Sequence, residues 1–160
     1  MSLLASTREA VLHAYGGAIG QPVAALTTPA LLLDLPAARR NIARMTEGLA
    51  AISPTVSLRP HVKTHKSPDL ARLQAAAGAR GFSTATVWEA MVLAEAGLDD
   101  LFVVNTVEGA GKIACLANLA RERRVLVAVD NLENAQRLAR AAVAAGATLH
   151  VLIEIGRASV

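Results

Sequence analysis

The chain has 160 residues, 53% hydrophobic and 18% charged, which excludes a disordered polymer and allows one domain with a real core. One Trp, one Tyr and two Phe leave that core to aliphatic side chains. The net charge is +3, but the basic residues are mostly scattered, which argues against a nucleic-acid surface, and no apolar run reaches the roughly 18 residues of a membrane span.

Residues 1–29 read as a helical arm. Arg8, Glu9 and His13 make its first stretch a poor signal peptide. Ala30 to Asp34 is expected to be a short strand, followed by a helix with Pro36 in its first turn and Ile42, Met45 and Leu49 on one face. Leu58 to Val62 reads as the next strand. Ser67-Pro68-Asp69 then supplies a capping hydroxyl, a proline at the first helical position and an acid at the positive helix end. Leu70, Leu73 and Ala77 mark the buried stripe of that helix, and Gly78 its stop.

Gly81 to Ser83 is a short strand. Thr86 to Glu89 matches a capping box and opens a helix closed by Gly97, in which Trp88 is expected to pack between helix and sheet. Leu101 to Val104 is strand, and Gly109 to Arg121 is helix with Ile113, Leu116 and Ala120 inward. Cys115 lies within that helix, where packing fits it better than nucleophilic chemistry. A lone cysteine fits a reducing, cytosolic compartment. Val125 to Val129 is strand, Asp130 with Glu133 resembles another capping box, and Gly146 ends the helix that follows. Leu149 to Ile155 is the last strand.

Nearly all-apolar strands alternating with amphipathic helices imply a parallel sheet covered by helices. The strands starting at Leu58, Gly81, Leu101, Val125 and Leu149 recur at the pace of a (β/α) barrel, which needs eight strands and about 250 residues. The expected fold is therefore α/β: an incomplete (β/α)8, TIM-type barrel of about five β/α units over residues 30–160, truncated after the fifth strand. No Gly-rich phosphate loop opens any helix, which argues against a dinucleotide-binding fold.

In parallel α/β folds, ligands sit at the carboxyl ends of the strands. Those ends would bring His61, Lys63, Ser83, Thr84, Asn105, Asp130, Glu154 and Arg157 to one rim. Thr86 and Asp130 read better as helix caps, and Asn105 is balanced between turn residue and ligand contact. The densest cluster is Arg59-Pro60-His61-Val62-Lys63-Thr64-His65-Lys66. On a strand, Arg59, His61 and Lys63 would share one face, and burying it is costly unless they meet a ligand or each other. The alternative is a solvated basic edge.

A lysine on an inward strand face, desolvated by aliphatic walls, would have its ammonium disfavoured. The neutral amine could then attack a carbonyl and form a Schiff base. Lys63 is the better candidate, because Lys66 sits just before the Ser67 cap, where a lysine is usually solvated. His61 and His65 would meet at a metal only on a helix, so this strand-to-loop transition argues against a metal site.

Arg59 to Lys66, Thr84-Ala85-Thr86-Val87-Trp88-Glu89-Ala90 and Thr28-Pro29-Ala30-Leu31-Leu32-Leu33-Asp34 together resemble the D-threonine aldolase and D-serine dehydratase group. These are pyridoxal-phosphate enzymes of the alanine-racemase-like fold. The resemblance implies the N-terminal part of a lyase acting on D-β-hydroxy amino acids, by retro-aldol cleavage or by elimination of water, with Lys63 as the Schiff-base residue. Lys63, His61, Arg59, Asn105 and Arg157 are the implied cofactor contacts. The family's divalent metal has its ligands further along its chains, so no metal site is expected here. Residues Glu154 to Val160 form a shortened version of the family's Glu-x-Asp-x-Gly-x-x-Arg-x-Gly-Val run. The expected partner is a small D-amino acid, with neither nucleic acid nor membrane, and a homodimer is left open. The alternatives are a non-catalytic cofactor binder, an inert fragment and, more weakly, a racemase.

Overall fold

Four parallel strands form a single sheet in chain order: β1 (Phe82–Thr84), β2 (Leu101–Thr106), β3 (Val125–Val129) and β4 (His150–Ile153). The computed structural model describes residues 3–156. It divides into two units, one up to Ala38 and one from Arg39 onward.

Parallel neighbours cannot be joined by a tight turn, so each crossover carries a helix. These are α4 (Val87–Glu95), α5 (Ala110–Leu119) and α6 (Leu132–Ala145), preceded by α3 (Pro68–Ala76). Local chemistry starts and stops them. The Ser67 hydroxyl accepts the Leu70 N–H at 3.3 Å ahead of α3, and Thr86 accepts the Glu89 N–H at 3.2 Å ahead of α4. Gly146 closes α6 in the left-handed conformation, at φ 63°. Ahead of α6 the cap is Asn131 rather than Asp130: its side chain accepts the Asn134 N–H at 2.7 Å, while Asp130 holds the Asn131 amide at 2.8 Å. The acid was one residue too early to reach the first turn.

Leu101, Val103, Val125 and Val127 are buried against Phe82, Leu93, Leu116 and Leu138. Each fully buried aliphatic side chain contributes roughly 1.5–3 kcal/mol, and this cluster is what fixes the sheet. Cys115 packs at its edge. β4 differs: all four of its residues are exposed, Val151 and Ile153 among them.

Two expected strands are not fully formed among the described residues. Residues 30–34 are not paired to any strand among the described residues, and Leu31 is fully exposed. A strand needs a neighbour for its N–H and C=O groups, and an apolar run cannot supply one by itself. Leu58 to Val62 keeps only part of its pairing, as described below. In the unit up to Ala38, α1 (Leu3–Gly16) precedes a short 3-10 turn at Val23–Ala25, and the Tyr15 hydroxyl donates to the Pro29 carbonyl at 2.9 Å. α2 (Leu35–Ile52) begins where Asp34 accepts the Ala37 N–H at 2.8 Å; Ile42 and Leu49 are half-buried on it, while Met45 is exposed. Among the described residues no helix is long and apolar enough to cross a membrane.

Candidate functional site

The segment Leu58–His61 runs beside β1 as an incomplete fifth strand. The Arg80 N–H donates to the Leu58 carbonyl at 2.9 Å, the Ser83 N–H donates to the Pro60 carbonyl at 2.8 Å, and His61 forms a single parallel bridge with Ser83. Pro60 has no N–H to return, and after His61 the chain winds into a 3-10 turn at Val62–Thr64. The period-two face therefore ends at His61.

Lys63 sits in that turn, at the carboxyl edge of the sheet, with its side chain exposed. Aliphatic walls around it, expected from an inward strand position, are not what the structure places there. Val62 takes the buried position instead. Among the described residues the Lys63 amine has no hydrogen-bond or ion-pair partner.

The residues around it are more constrained. His61 Nδ1 accepts the Lys63 N–H at 3.3 Å, and His65 Nδ1 accepts the Ser67 N–H at 3.0 Å. Lys66 adopts a left-handed backbone, at φ 51°, and pairs with Glu89 at 3.1 Å. Glu89 also accepts the Ala85 N–H at 2.7 Å. Burial alone would raise the Glu89 carboxyl, but the Ala85 and Lys66 hydrogen bonds outweigh it and hold it below the usual range. His61 is lowered first by burial and then by the Lys63 charge, against the opposing pull of Glu89 and the Ser83 backbone. Val62, Lys66, Trp88, Glu89, Val92 and Leu93 line a cleft of about 230 Å³ beside this cluster. Trp88 is 52% exposed on it, not packed between helix and sheet, because Val87 and Ala90 take the inward positions of α4.

Asn105 reaches the same edge from β2. The β2–β3 register slips between Val103 and Thr106, an irregularity at the end of the strand, and the Asn105 amide donates to the Ala85 carbonyl at 2.9 Å. Ala85 is thus held through its N–H by Glu89 and through its C=O by Asn105. Sequence reading took Glu89 only as a cap partner; its second contact, with Lys66, depends on a backbone conformation that composition does not disclose. Buried Asn134, also missed, donates to the Val107 carbonyl at 2.9 Å and to Glu108 at 3.0 Å.

Arg59 does not join this group. Its guanidinium lies at the amino ends of the strands, donating to the Asp100 carbonyl at 2.5 Å and to the Asp100 carboxylate at 2.8 Å. Arg124 holds the other carboxylate oxygen. Gly81, at φ 85°, lies so close that a Cβ there would overlap both Arg59 and the Asp100 carbonyl. Of the three positions that strand periodicity put on one face, Arg59 and Lys63 lie at opposite ends of the sheet. Arg157 lies outside the described residues.

Residues 33–157 match the family model of the alanine racemase N-terminal domain. The chain belongs to that family. The parallel sheet and its helices are a part of the TIM-like barrel of the alanine racemase N-terminal domain. The chain is 41% identical over 136 residues to a D-threonine aldolase from Arthrobacter sp, an alignment covering 85% of this chain and 35% of that protein. A D-threo-3-hydroxyaspartate dehydratase from Delftia sp. (strain HT23) is 37% identical over 130 residues, covering 81% and 34%. The crystal structure of D-threonine aldolase from Filomicrobium marinum aligns with a TM-score of 0.79 at 43% identity, over 84% of this chain and 36% of that one. The chain thus spans about a third of the length of these relatives.

Proposed function

We propose that this chain forms the cofactor-binding portion of a pyridoxal-phosphate lyase acting on D-amino acids with a β-hydroxyl, and that Lys63 is the residue that binds the cofactor's aldehyde. The observation that carries this reading is an accessible primary amine at the carboxyl edge of a parallel sheet, in a family whose relatives are aldolases and a dehydratase of such substrates. An amine free of ion-pair partners fits a carbonyl-bearing group, because no bond has to be broken before it reacts. His61, in contact with the Lys63 backbone, and Asn105, at the same edge of the sheet, are assigned to share the cofactor site. Arg59 is assigned a structural role at the other end of the sheet, a change from the contact that the family resemblance implied. Bound there, pyridoxal phosphate would supply an electron sink for the charge left when a bond at Cα or Cβ breaks.

The chain's own residues do three things in this reading. Lys63 contributes the amine. Glu89, kept ionised by Ala85 and Lys66, holds negative charge at the rim and fixes the loop after β1. Asn105 closes that loop from the other side. Among the described residues no group of three or more His, Cys, Asp and Glu is placed to hold a metal; one bound beside the substrate would polarise its β-hydroxyl. A cytoplasmic setting fits the free Cys115.

The test is spectroscopic. The purified chain, mixed with pyridoxal phosphate, should show a new absorbance band that is absent in Lys63→Ala. Failure of any band to form in the wild type would overturn the assignment. A band without glycine or keto-acid formation from D-threonine or D-serine would reduce the chain to a cofactor binder.

A further inference from the structure

His61 and His65 make the same contact four positions apart. Each offers Nδ1 to the backbone N–H two residues on, of Lys63 and of Ser67 respectively. A backbone N–H can only donate, so each Nδ1 must be the unprotonated nitrogen of a neutral ring, with the proton on Nε2. At His65 that Nε2 lies 3.3 Å from the Gln74 side-chain oxygen, which suits a donor. His61 has an extended backbone, at φ −94° and ψ 115°, and occupies the capping position of the Val62–Thr64 turn. Asn, Asp, Ser or Thr usually offers an oxygen there. An imidazole does the same work with one difference: a proton on Nδ1 turns the acceptor into a donor and ends the contact.

We propose that His61 is a positioning residue for Lys63: its neutral ring holds the Lys63 N–H through Nδ1, fixes the turn that presents the amine, and releases it when Nδ1 is protonated. This deepens the function proposed above and rests on Lys63 being the amine that captures the carbonyl. The charged groups facing His61 are Lys63 from its own turn and Glu89 from α4, the latter already paired with Lys66. β1 presents only the Ser83 backbone. Burial and the Lys63 charge disfavour the imidazolium, which keeps the ring in its accepting form through neutral pH. Because the folded-state value is lowered, the contact is complete above the ordinary histidine range near pH 6.5. It is lost as pH falls through the lowered value.

Three forms of the 160-residue chain decide the matter: wild type, His61→Asn and His61→Leu. Asparagine keeps an acceptor for the same N–H but does not titrate, while leucine removes the acceptor. The first readout needs no cofactor. Nitrogen-15 NMR should find His61 Nδ1 unprotonated at pH 8, with the Lys63 amide resonance following the His61 titration in the wild type. In His61→Asn that resonance should stay fixed between pH 5 and 8, and in His61→Leu it should be displaced throughout.

The second readout is the affinity for pyridoxal phosphate, with the bound form trapped on Lys63 by borohydride and located by mass spectrometry. At pH 8, His61→Asn should lie within about twofold of wild type and His61→Leu about tenfold weaker, the worth of one ordinary hydrogen bond. Once the pH is below the His61 titration that the NMR series locates, the wild type should fall relative to His61→Asn. A proton found on Nδ1 at pH 8, or Asn and Leu variants that behave alike, would overturn the proposal. Should His61→Leu fail to fold, wild type against His61→Asn over the pH series decides it. If the wild type never captures the cofactor on Lys63, the proposed function fails while the NMR titration still decides the role of His61.

Discussion

The two ends of the segment Arg59–Lys63 are held in opposite ways. At the amino end, Arg59 is tied to both the carbonyl and the carboxylate of Asp100, Arg124 shares that carboxylate, and Asp99 accepts the N–H groups of Asp100 and Arg124 at 2.8 Å each. Gly81 leaves no room there for even a methyl group. At the carboxyl end, Lys63 is exposed, and the turn that carries it is closed by the His65 and Lys66 N–H groups donating to the Val62 carbonyl, with one side-chain contact from His61 to the Lys63 N–H. One end fixes the register of the partial strand; the other leaves the Lys63 amine, the group proposed to react, accessible. A site whose residues must meet a ligand gains from this division, because precision comes from the rigid element beneath and not from the loop itself.

The most damaging single change should fall at the amino end. Gly81→Ala combines a left-handed backbone with overlap against the Asp100 carbonyl, so a loss of about 3 kcal/mol is expected in urea unfolding. A midpoint close to wild type would mean that the Arg59–Asp100 contact does not hold this corner. Asp100→Asn should cost less, about 1.5 kcal/mol, because its partners Arg59 and Arg124 remain partly hydrated at 26% and 48% exposure. Burial raises the Asp100 carboxyl, but hydrogen bonds from Arg59 and Arg124 outweigh it and lower its pKa overall. Its contribution is therefore complete above about pH 4 and lost as pH falls through the lowered value. Unfolding curves of wild type and Asp100→Asn should converge in acid; a constant gap from pH 7 to pH 2 would exclude this ion pair as the cause.

The carboxyl end tolerates more. Ser67→Ala removes the acceptor for the Leu70 N–H and should cost about 1 kcal/mol, measurable as a lowered Tm. An equal loss in Ser67→Asp would point to something other than capping, since aspartate caps as well as serine does.

Most of the fold was legible in the residues themselves. β1 to β3 and α3 to α6 follow from apolar runs, capping hydroxyls and closing glycines, each a local signal. What was illegible depended on partners. Residues 30–34 look like a strand by composition but have no strand to pair with among the described residues. Leu58–Val62 has a neighbour on one side, yet Pro60 and the turn at Val62 leave it a single bridge. Trp88 was expected between helix and sheet because it lies in a capped helical turn, whereas the inward face of α4 is filled by Val87, Ala90, Leu93 and Ala94. At the candidate site the geometry departs from strand periodicity. Strand periodicity cannot see that Asp100, 41 residues away, draws Arg59 to the other end of the sheet.

The smallest effect on folding is expected where the effect on chemistry is largest. Lys63→Ala removes an exposed side chain that makes no hydrogen bond or ion pair among the described residues, while leaving the backbone N–H that His61 accepts. Tm should stay within about 2 °C of wild type, the range of an ordinary surface substitution. Capture of pyridoxal phosphate should vanish. A marked loss of stability would instead make Lys63 part of the framework, like Arg59, and the contrast between the two ends would collapse. Lys66→Ala sharpens the same point: it breaks the pair with Glu89 at 67% lysine exposure, so it should change stability little, yet capture at Lys63 should persist. Persistence in Lys66→Ala together with loss in Lys63→Ala would separate the two lysines by function, a distinction that their spacing alone could not make.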